Sequence, residues 1–335
     1  MTNLVIPAMP ATTPIGWDCG NGWGKLIASD GEILIPSYFK QVLDSKDYEP
    51  LGEGAVIEYL EGDRGNLSGT RWLIGETAQI EFPQAHQRIV DDWRHKVTYG
   101  LQMLLGAVAL MPHQQNRSLS VAASIHDAHV FGAELKKALS GSHLLRLNRR
   151  TCSIQITSNI CEEGIGALMI ARAPGQRKVG LIDLGHGSTI ATVFEGNKQI
   201  QGGRKVFDVG VHHLVDAIAN NQEMRSYLGK PASAHLIRNG LQNNCLYGTT
   251  GWSFEDIYNA ELKPWVQSCL APAVKFLQPW LDDLDAVYCI GGGASLAYIA
   301  QLLTKRSITV VPNAQKANAE GLLKLAQATI RRIEQ

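Results

Sequence analysis

The chain has 335 residues, with 31 basic and 31 acidic side chains, 45% hydrophobic residues and 19% charged residues. This composition supplies ample apolar material for packed cores, excludes wholesale disorder and suggests two domains. Zero net charge argues against a nucleic-acid coat or a polybasic membrane binder, and the longest apolar run is about half the roughly 20 residues of a membrane-spanning helix.

The cysteines and the N-terminus predict the cellular compartment. The six cysteines form no C-x-x-C pair and have no histidine at metal-ligand spacing. Most of them lie in apolar stretches, where a buried, reduced thiol is ordinary and fits a reducing cytosol. The N-terminus has no basic segment followed by an apolar core, so a secretory signal is not expected. The sequence therefore predicts a soluble, cytoplasmic protein.

The first recognisable pattern spans residues 15–31. A strand ends at Asp18, and the segment Asp18-Cys-Gly20-Asn21-Gly22 follows it. An alternating stretch then runs to Asp30-Gly31, a pair typical of a hairpin turn. The pattern predicts a strand, an Asp-x-Gly-x-Gly turn, a second strand, an acid-Gly turn and a third strand.

The rest of the first half alternates between strand and helix patterns. The predicted elements are irregular loops and short strands over 47–62 and 71–75, a helix over 85–111 with a solvated charged first turn at 91–96, a strand over 119–124, a helix over 128–139, a strand over 152–157, a turn over 162–166 and a helix over 167–172. Residues 171–177 contain Pro174-Gly175 and form the best candidate boundary between domains.

A second copy of the first pattern occurs 165 positions later, over residues 180–196. The matching pairs are Asp18 with Asp183, Gly20 with Gly185, Gly22 with Gly187, and Gly31 with Gly196. A single Asp-x-Gly-x-Gly segment is more often an ordinary tight turn. Two copies with matched downstream turns favour a shared chemical role.

The residue types in these turns suit a metal-bound polyphosphate. Glycines allow backbone N–H groups to approach an anion, and successive N–H groups in a tight turn form an anion-binding nest. An aspartate at the end of a strand supplies the hard oxygen ligand that Mg²⁺ prefers. Two such turns facing each other would hold one polyphosphate from both sides.

The remainder of the second half is mostly helical until a third glycine cluster. The predicted elements are a helix over 211–220, a short element over 236–241, a loop over 243–252, one or two helices over 254–281, a strand over 284–290, a glycine turn at Gly291–Gly293, a helix over 296–303 and a last helix over 317–333 that packs on the first domain. His212 and His213 are adjacent on a helix and point about 100° apart, which disfavours a metal site.

In their order and spacing, the three glycine motifs resemble those of the actin/chaperone/sugar-kinase superfamily of ATPases, and most closely the ParM/StbA type of bacterial actin-like proteins. The segments that carry the resemblance are Asp18–Lys25, Glu162–Ala167, Asp183–Thr189, Ile290–Ser295 and Ala317–Leu322, and it spans residues 14–330. Residues 40–90 match nothing in that pattern, so polymer contacts cannot be carried over.

The resemblance implies an α/β fold of two ribonuclease-H-like domains with a nucleotide cleft between them. The first domain would span 1–173 and be completed by a C-terminal helix at about 312–335, and the second would span 178–311. The alternation of strands and helices in both halves agrees with this α/β class.

The resemblance also implies roles for individual residues. Asp18 and Asp183 would bind Mg²⁺ through water, and Glu163 would position the attacking water. The family usually has a proline directly before this acid. Because Glu162 stands there instead, Glu162 is the alternative to Glu163. The residues implied in nucleotide binding are Gly20, Asn21, Gly22, Lys25, Gly185, Gly187, Ser188, Thr189, Gly291, Gly292, Gly293 and Ala294. Either Ser188 or Thr189 would supply a hydroxyl, and Gly291–Gly293 would face the adenosine.

The function that the resemblance implies is a slow Mg²⁺-dependent ATPase, with ATP or GTP as nucleotide, that forms head-to-tail filaments for plasmid or DNA segregation. A DNA-binding adaptor is the expected partner, since the neutral charge disfavours direct nucleic-acid binding. Two alternatives stay open at this point. One is a non-polymerising nucleotide-dependent sensor, and the other is a small-molecule kinase, for which no general-base aspartate is evident.

Overall fold

The computed structural model describes residues 11–333. Residues 1–10, on which the expectation about a secretory signal rests, lie outside the described residues, as do the last two of the predicted C-terminal helix. Contacts divide the described part of the chain into two compact units. One unit contains residues up to Met169 together with those from Asn318 onward, and the other is Ile170–Ala317.

The described residues form fifteen strands and twelve α-helices. The strands are β1 (Thr12–Cys19), β2 (Trp23–Ala28), β3 (Gly31–Pro36), β4 (Tyr38–Val42), β5 (Gly54–Gly62), β6 (Arg71–Gly75), β7 (Gln87–Arg88), β8 (Asn116–Ile125), β9 (Gly141–Leu147), β10 (Arg150–Glu162), β11 (Lys178–Leu184), β12 (Thr189–Glu195), β13 (Lys198–Phe207), β14 (Ala286–Ile290) and β15 (Ile308–Val310). Both predicted hairpin patterns are confirmed, as β1–β3 and as β11–β13.

The helices are α1 (Glu76–Glu81), α2 (His95–Thr98), α3 (Gly100–Ala109), α4 (Ala128–Leu139), α5 (Ile165–Ala171), α6 (Val211–Asn220), α7 (Gln222–Leu228), α8 (Ala234–Gly240), α9 (Glu255–Ser268), α10 (Leu270–Leu277), α11 (Ile299–Thr304) and α12 (Ala317–Ile333). Among the helices of residues 11–333, none is both long and apolar enough to cross a bilayer.

The sheet of the first unit brings the ends of three parallel strands to one edge. Its order is β3-β2-β1-β8-β10-β9-β5-β6-β4-β7, and β8 is parallel to both β1 and β10. The strands β1 and β8 are buried along most of their length because helices cover the sheet. Residues that follow the carboxyl ends of β1, β8 and β10 therefore lie side by side.

The second unit has a smaller sheet with the same arrangement of its hairpin. Its order is β13-β12-β11-β14-β15, with β11, β14 and β15 parallel. The register of β11 and β14 places Asp183 beside Ile290, the residue before the glycine cluster. The second and third glycine motifs are thus neighbours at one edge of this sheet.

The long helix predicted over 85–111 is wrong in its first ten residues, where the chain forms β7 and a short 3-10 turn. Local hydrogen bonds from side chains to backbone explain the difference. The Asp91 carboxylate accepts the Arg88 N–H at 2.9 Å, and the Asp92 carboxylate accepts the Arg94 N–H at 2.7 Å. Such bonds compete with the helical pattern of backbone bonds. The helix predicted over 296–303 likewise begins only at Ile299, after a 3-10 turn over Gly292–Ser295.

Residues 40–90, for which the sequence pattern offers no match, extend the sheet of the first unit. They contribute β5, β6 and α1, and β6 pairs with both β4 and β5. The irregular loops and short strands predicted over 47–62 and 71–75 agree with the structure, where Gly54–Gly62 and Arg71–Gly75 are strands and Gly54–Gly62 also pairs with β9.

Helix α12 packs closely on β1 and α5 through glycines. A Cβ atom on Gly321 would lie 1.7 Å from the Gly166 carbonyl oxygen, and one on Gly16 would lie 2.1 Å from the Ala319 carbonyl oxygen. The Asn318 amide also donates a hydrogen bond to the buried Ser124 hydroxyl at 2.8 Å. The motifs at 162–167 and 317–322 therefore contact each other, and their glycines permit that contact.

Replacement of Gly321 tests this contact. We expect Gly321→Ala to lower the free energy of unfolding by roughly 3 kcal/mol, because the added methyl group cannot fit against a backbone carbonyl. Urea denaturation measures the change, and Gly65→Ala is the matched control, since a Cβ at Gly65 meets nothing within 4 Å. Equal unfolding midpoints for the two variants would contradict the close packing of α12.

Candidate functional site

The first glycine turn is anchored by a cross-strand ion pair. The register of β1 and β2 places Asp18 directly opposite Lys25. The Lys25 ammonium donates to the Asp18 carboxylate at 2.7 Å, and the two side chains are only 12% and 10% exposed. One of the two predicted Mg²⁺ ligands therefore lies against the predicted phosphate-binding lysine.

The two glycine turns close in the same way. The Gly20 N–H donates to the Trp23 carbonyl at 3.1 Å, and the Gly185 N–H donates to the Ser188 carbonyl at 3.0 Å. In each turn, a Cβ on the glycine would lie 2.8 Å from the accepting oxygen. The repeat found in the sequence is therefore a repeat of geometry, and only glycine fits at its central position.

This closure corrects one part of the sequence prediction. The glycine pattern predicts that the N–H groups of Gly20 and Gly185 hold phosphates, yet both are used inside their own turns. In the first turn, the buried Ser37 also binds the carbonyls of Gly20 and Gly22, at 2.6 Å through its hydroxyl and 3.0 Å through its N–H. No sequence signal points to this role for Ser37, which follows the third strand.

The second turn rests on the first residues of α6. The carbonyls of Gly185 and His186 accept the Val211 and His212 N–H groups at 3.0 and 2.8 Å. A Cβ on Gly210 would lie 2.4 Å from the His186 carbonyl oxygen. The turn that follows Asp183 is thus held by the backbone of a ten-residue helix, which fixes the position of the half-buried Asp183 beside it.

The two candidate hydroxyls of the second turn, those of Ser188 and Thr189, have different surroundings. The Thr189 side chain is fully buried, and its hydroxyl donates to the Val209 carbonyl at 2.8 Å and lies 2.9 Å from the Cys269 sulfur. Ser188 is half-buried. Of the two alternatives that the sequence leaves open, the structure therefore favours Ser188.

The third glycine cluster serves mainly to pack its turn against β11. Gly291 has a positive φ of 89°, and a Cβ there would lie 2.6 Å from an Asp183 carboxylate oxygen. A Cβ on Gly293 would lie 2.6 Å from the Leu184 side chain, and Ala294 is fully buried. Of the predicted adenosine-facing residues, Gly292 is the open one, since its nearest atom would be 3.9 Å away. The packing of Gly291, Gly293 and Ala294 accounts for their small size, and their contact with a nucleotide stays a prediction.

The two candidate catalytic glutamates have different surroundings. Glu162 ends β10, and its carboxylate accepts the Ala128 N–H at the start of α4 at 2.8 Å. Glu163 is the next residue, and its backbone N–H donates to the carbonyl of Ile125, at the end of β8. Each carboxylate therefore has one oxygen engaged, that of Glu162 by the Ala128 N–H and that of Glu163 by the Lys96 ammonium, and the choice of Glu163 over Glu162 stays a prediction.

Lys96 is a site residue that sequence reasoning missed. The charge pattern predicts it in a solvated first turn of a helix, but it is buried in α2, and its ammonium donates to the Glu163 carboxylate at 2.5 Å. Burial alone would lower the pKa of Lys96, but the charge and hydrogen bond of Glu163, helped by Asp18, raise it above the ordinary value. Lys96 is therefore a buried cation.

The Cys19 thiol lies among these charges without taking part in chemistry. Burial raises its pKa to about 12, and the charges of Lys96, Asp18, Lys25 and Glu163 all act on it. The thiol therefore stays protonated and is a poor nucleophile. Its position shows that the Asp18–Lys25 and Lys96–Glu163 pairs both lie at the carboxyl end of β1.

Each of the two predicted Mg²⁺ ligands is a carboxylate of the kind that serves a Mg²⁺ ion bound together with a nucleotide. Within residues 11–333, no three His, Cys, Asp or Glu side chains are grouped to hold a metal ion. Mg²⁺ usually keeps several waters and binds one or two carboxylates plus substrate phosphates. Asp18 in the first unit and Asp183 in the second each end a strand beside a glycine turn, and each can supply one such carboxylate.

Comparisons with known proteins identify the fold. Residues 16–166 match the family model described as actin like proteins N terminal domain. No curated protein sequence matches the chain. Among solved structures, Ta0583, an archaeal actin homolog in complex with ADP, has a TM-score of 0.73 and 15% identity, with 94% of this chain and 99% of that chain covered.

Two further structures match nearly the whole chain. Bacillus thuringiensis ParM with ATP has a TM-score of 0.66 and 15% identity, with 96% of this chain and 99% of that chain covered. The Alp12 filament structure has a TM-score of 0.63 and 16% identity, with 95% and 99% covered. Residues 16–166 therefore match the actin-like N-terminal domain family, and the chain as a whole has the two-domain α/β fold of the ParM and Ta0583 structures.

Proposed function

We propose that this protein binds and slowly hydrolyses Mg²⁺-ATP, and that the nucleotide controls its assembly into filaments that segregate plasmid or other DNA. The observation that carries the proposal is the duplicated turn. In each unit, a strand ends in an aspartate, and the glycine two residues later donates its N–H to a carbonyl three residues further on. Two such turns, each with its own carboxylate, match the needs of a metal-bound polyphosphate.

The proposed chemistry uses few protein groups. Asp18 and Asp183 would hold the ion through water, while Lys25, Ser188 and the open backbone of the turns would bind the phosphates. The ion, when bound, neutralises charge on the phosphate oxygens. Glu163 would orient a water whose oxygen attacks the γ-phosphorus as the bond to the β,γ-bridging oxygen breaks. The ADP oxygen keeps that electron pair, and the proton of the water passes to Glu163 and then to solvent.

The matched structures support the nucleotide and the assembly separately. Bacillus thuringiensis ParM has a structure with ATP, Ta0583 has one with ADP, and the Alp12 structure is that of a filament. In an actin-like filament, subunits meet head to tail through a heterologous interface that does not close into a ring. Because the net charge of this chain is zero, we propose that a DNA-binding adaptor links the filament to its DNA.

The Asp183 carboxylate provides the first test. We expect Asp183→Ala to lower ATP turnover by about 100-fold or more, because the ion would lose a ligand that fixes its position. Steady-state phosphate release and equilibrium binding of Mg²⁺-ATP measure the effect. Asp282→Ala is the matched control, since Asp282 is exposed in the same unit. Unchanged turnover in Asp183→Ala would overturn the site assignment.

Assembly is tested by right-angle light scattering after addition of Mg²⁺-ATP, with pelleting and negative-stain images of the same sample. We expect scattering to rise in the wild-type protein and to stay flat in Asp183→Ala. Parallel samples with Mg²⁺-GTP would show which nucleotide is preferred. A flat trace in a wild-type protein that binds ATP would contradict the filament and favour the sensor or the kinase.

A further inference from the structure

Lys96 and Glu163 form an ion pair inside the protein, and the burial of two charged side chains calls for a physical reason. Their side chains are 8% and 9% exposed, and the Nζ and Oε1 atoms lie 2.5 Å apart. Burying two charges costs about as much free energy as their attraction returns, so a buried ion pair is weak evidence for a contribution to stability. An apolar pair of similar volume would serve the core as well. The position of the pair therefore points to a use outside stability.

The sheet places this pair beside the first phosphate turn. Strands β1 and β10 flank β8, and all three end at the same edge. Two spacings between strands put Asp18 and Glu163 about 10 Å apart across that edge. Lys96 is close enough to feel the charges of Asp18 and Cys19 as well as Glu163. Its ammonium therefore lies at the same sheet edge as the Asp18–Lys25 turn, to which the proposed function assigns the phosphates.

The four charged side chains at this edge are arranged as two neutral pairs. Lys25 donates to Asp18, and Lys96 donates to Glu163. A triphosphate brings an excess of negative charge and competes with the carboxylates for both ammonium groups. While Lys96 donates to Glu163, the ammonium neutralises the carboxylate and makes it a weaker hydrogen-bond acceptor and a weaker base for a water. Glu163 would become available for water when Lys96 turns to phosphate.

We propose that Lys96 binds the terminal phosphate of the nucleoside triphosphate and, by leaving Glu163, releases that carboxylate to orient the attacking water. This inference rests on the proposed nucleotide function and adds to it a residue that distinguishes triphosphate from diphosphate. A diphosphate lacks the group that draws Lys96 away, so the Lys96–Glu163 pair persists when ADP is bound. The pair thereby couples the state of the nucleotide to the catalytic carboxylate.

The test compares affinities for two probes, Mg²⁺-ADP and the non-hydrolysable Mg²⁺ complex of adenosine β,γ-imidotriphosphate. We expect Lys96→Met to weaken triphosphate binding by about tenfold or more and to leave ADP binding unchanged, since a charge-assisted bond to the terminal phosphate is lost. Lys96→Arg should restore part of the preference. Lys137→Met is the matched control, because Lys137 is an exposed lysine of the same unit.

Glu163→Gln should act in the opposite direction on binding. It removes the charge that competes for Lys96, so triphosphate affinity should rise, while single-turnover hydrolysis falls by about 100-fold or more. A purely structural pair would give a different result, with both variants less stable and both probes weakened alike. The opposite signs of the two variants therefore separate a phosphate-binding role from a structural one.

The double variant Lys96→Met/Glu163→Gln keeps the test valid if Lys96→Met alone unfolds. It removes both buried charges, so it should fold and still show the lost preference for triphosphate. If this variant or Lys96→Met prefers triphosphate as strongly as the wild-type protein, the role of Lys96 is wrong while the proposed function stands. If the wild-type protein binds neither probe, the proposed function itself is wrong and the role of Lys96 falls with it.

Discussion

The structure of both candidate phosphate turns depends on one backbone hydrogen bond, from a glycine N–H to the carbonyl three residues later. The bond brings the chain back on itself directly after the strand, so no side chain fits at Gly20 or Gly185. The aspartate, two residues before the glycine, stays at the end of its strand and pairs with the next strand of the hairpin. The two segments 165 positions apart match because the same turn, in each of the two sheets, has no room for a side chain at its glycine.

Close packing between neighbouring elements, rather than contact with a ligand, explains the glycines outside these turns. Gly166 and Gly321 bring α5 and α12 into backbone contact, and Gly291 and Gly293 bring the third motif against the end of β11. None of these four needs a ligand to account for it. Their effect on chemistry is indirect, since they fix the strand ends from which Glu163 and Asp183 extend. A glycine-rich motif can thus mark a functional site while most of its glycines contact only protein.

Local patterns predicted the elements whose formation is decided locally, including both hairpins, α4, α6 and α12. Sequence reasoning failed where distant residues decide the outcome. Lys96 is buried because Glu163, 67 residues later, supplies its partner, and no periodicity around Lys96 carries that information. The Thr189 hydroxyl is similarly engaged by Val209 and Cys269, which only the folded sheet and helices bring to it. The candidate acids could be predicted from sequence, but their partners could not.

A buried ion pair contributes little net free energy to folding, and this allows the Lys96–Glu163 pair to change partners when a nucleotide binds. Two apolar side chains in the place of Lys96 and Glu163 would pack well and have no second arrangement to adopt. The attraction between two buried charges roughly offsets the cost of removing them from water, so such a pair can separate when another anion arrives. The lysine then binds a phosphate in place of the carboxylate, and its charge remains neutralised. The exchange requires that the displaced carboxylate find water or metal at once, since a lone buried charge is costly. Before the exchange, each anion at this sheet edge has a cation beside it, Lys25 for Asp18 and Lys96 for Glu163. After the exchange, the proposed partner of Glu163 is the attacking water.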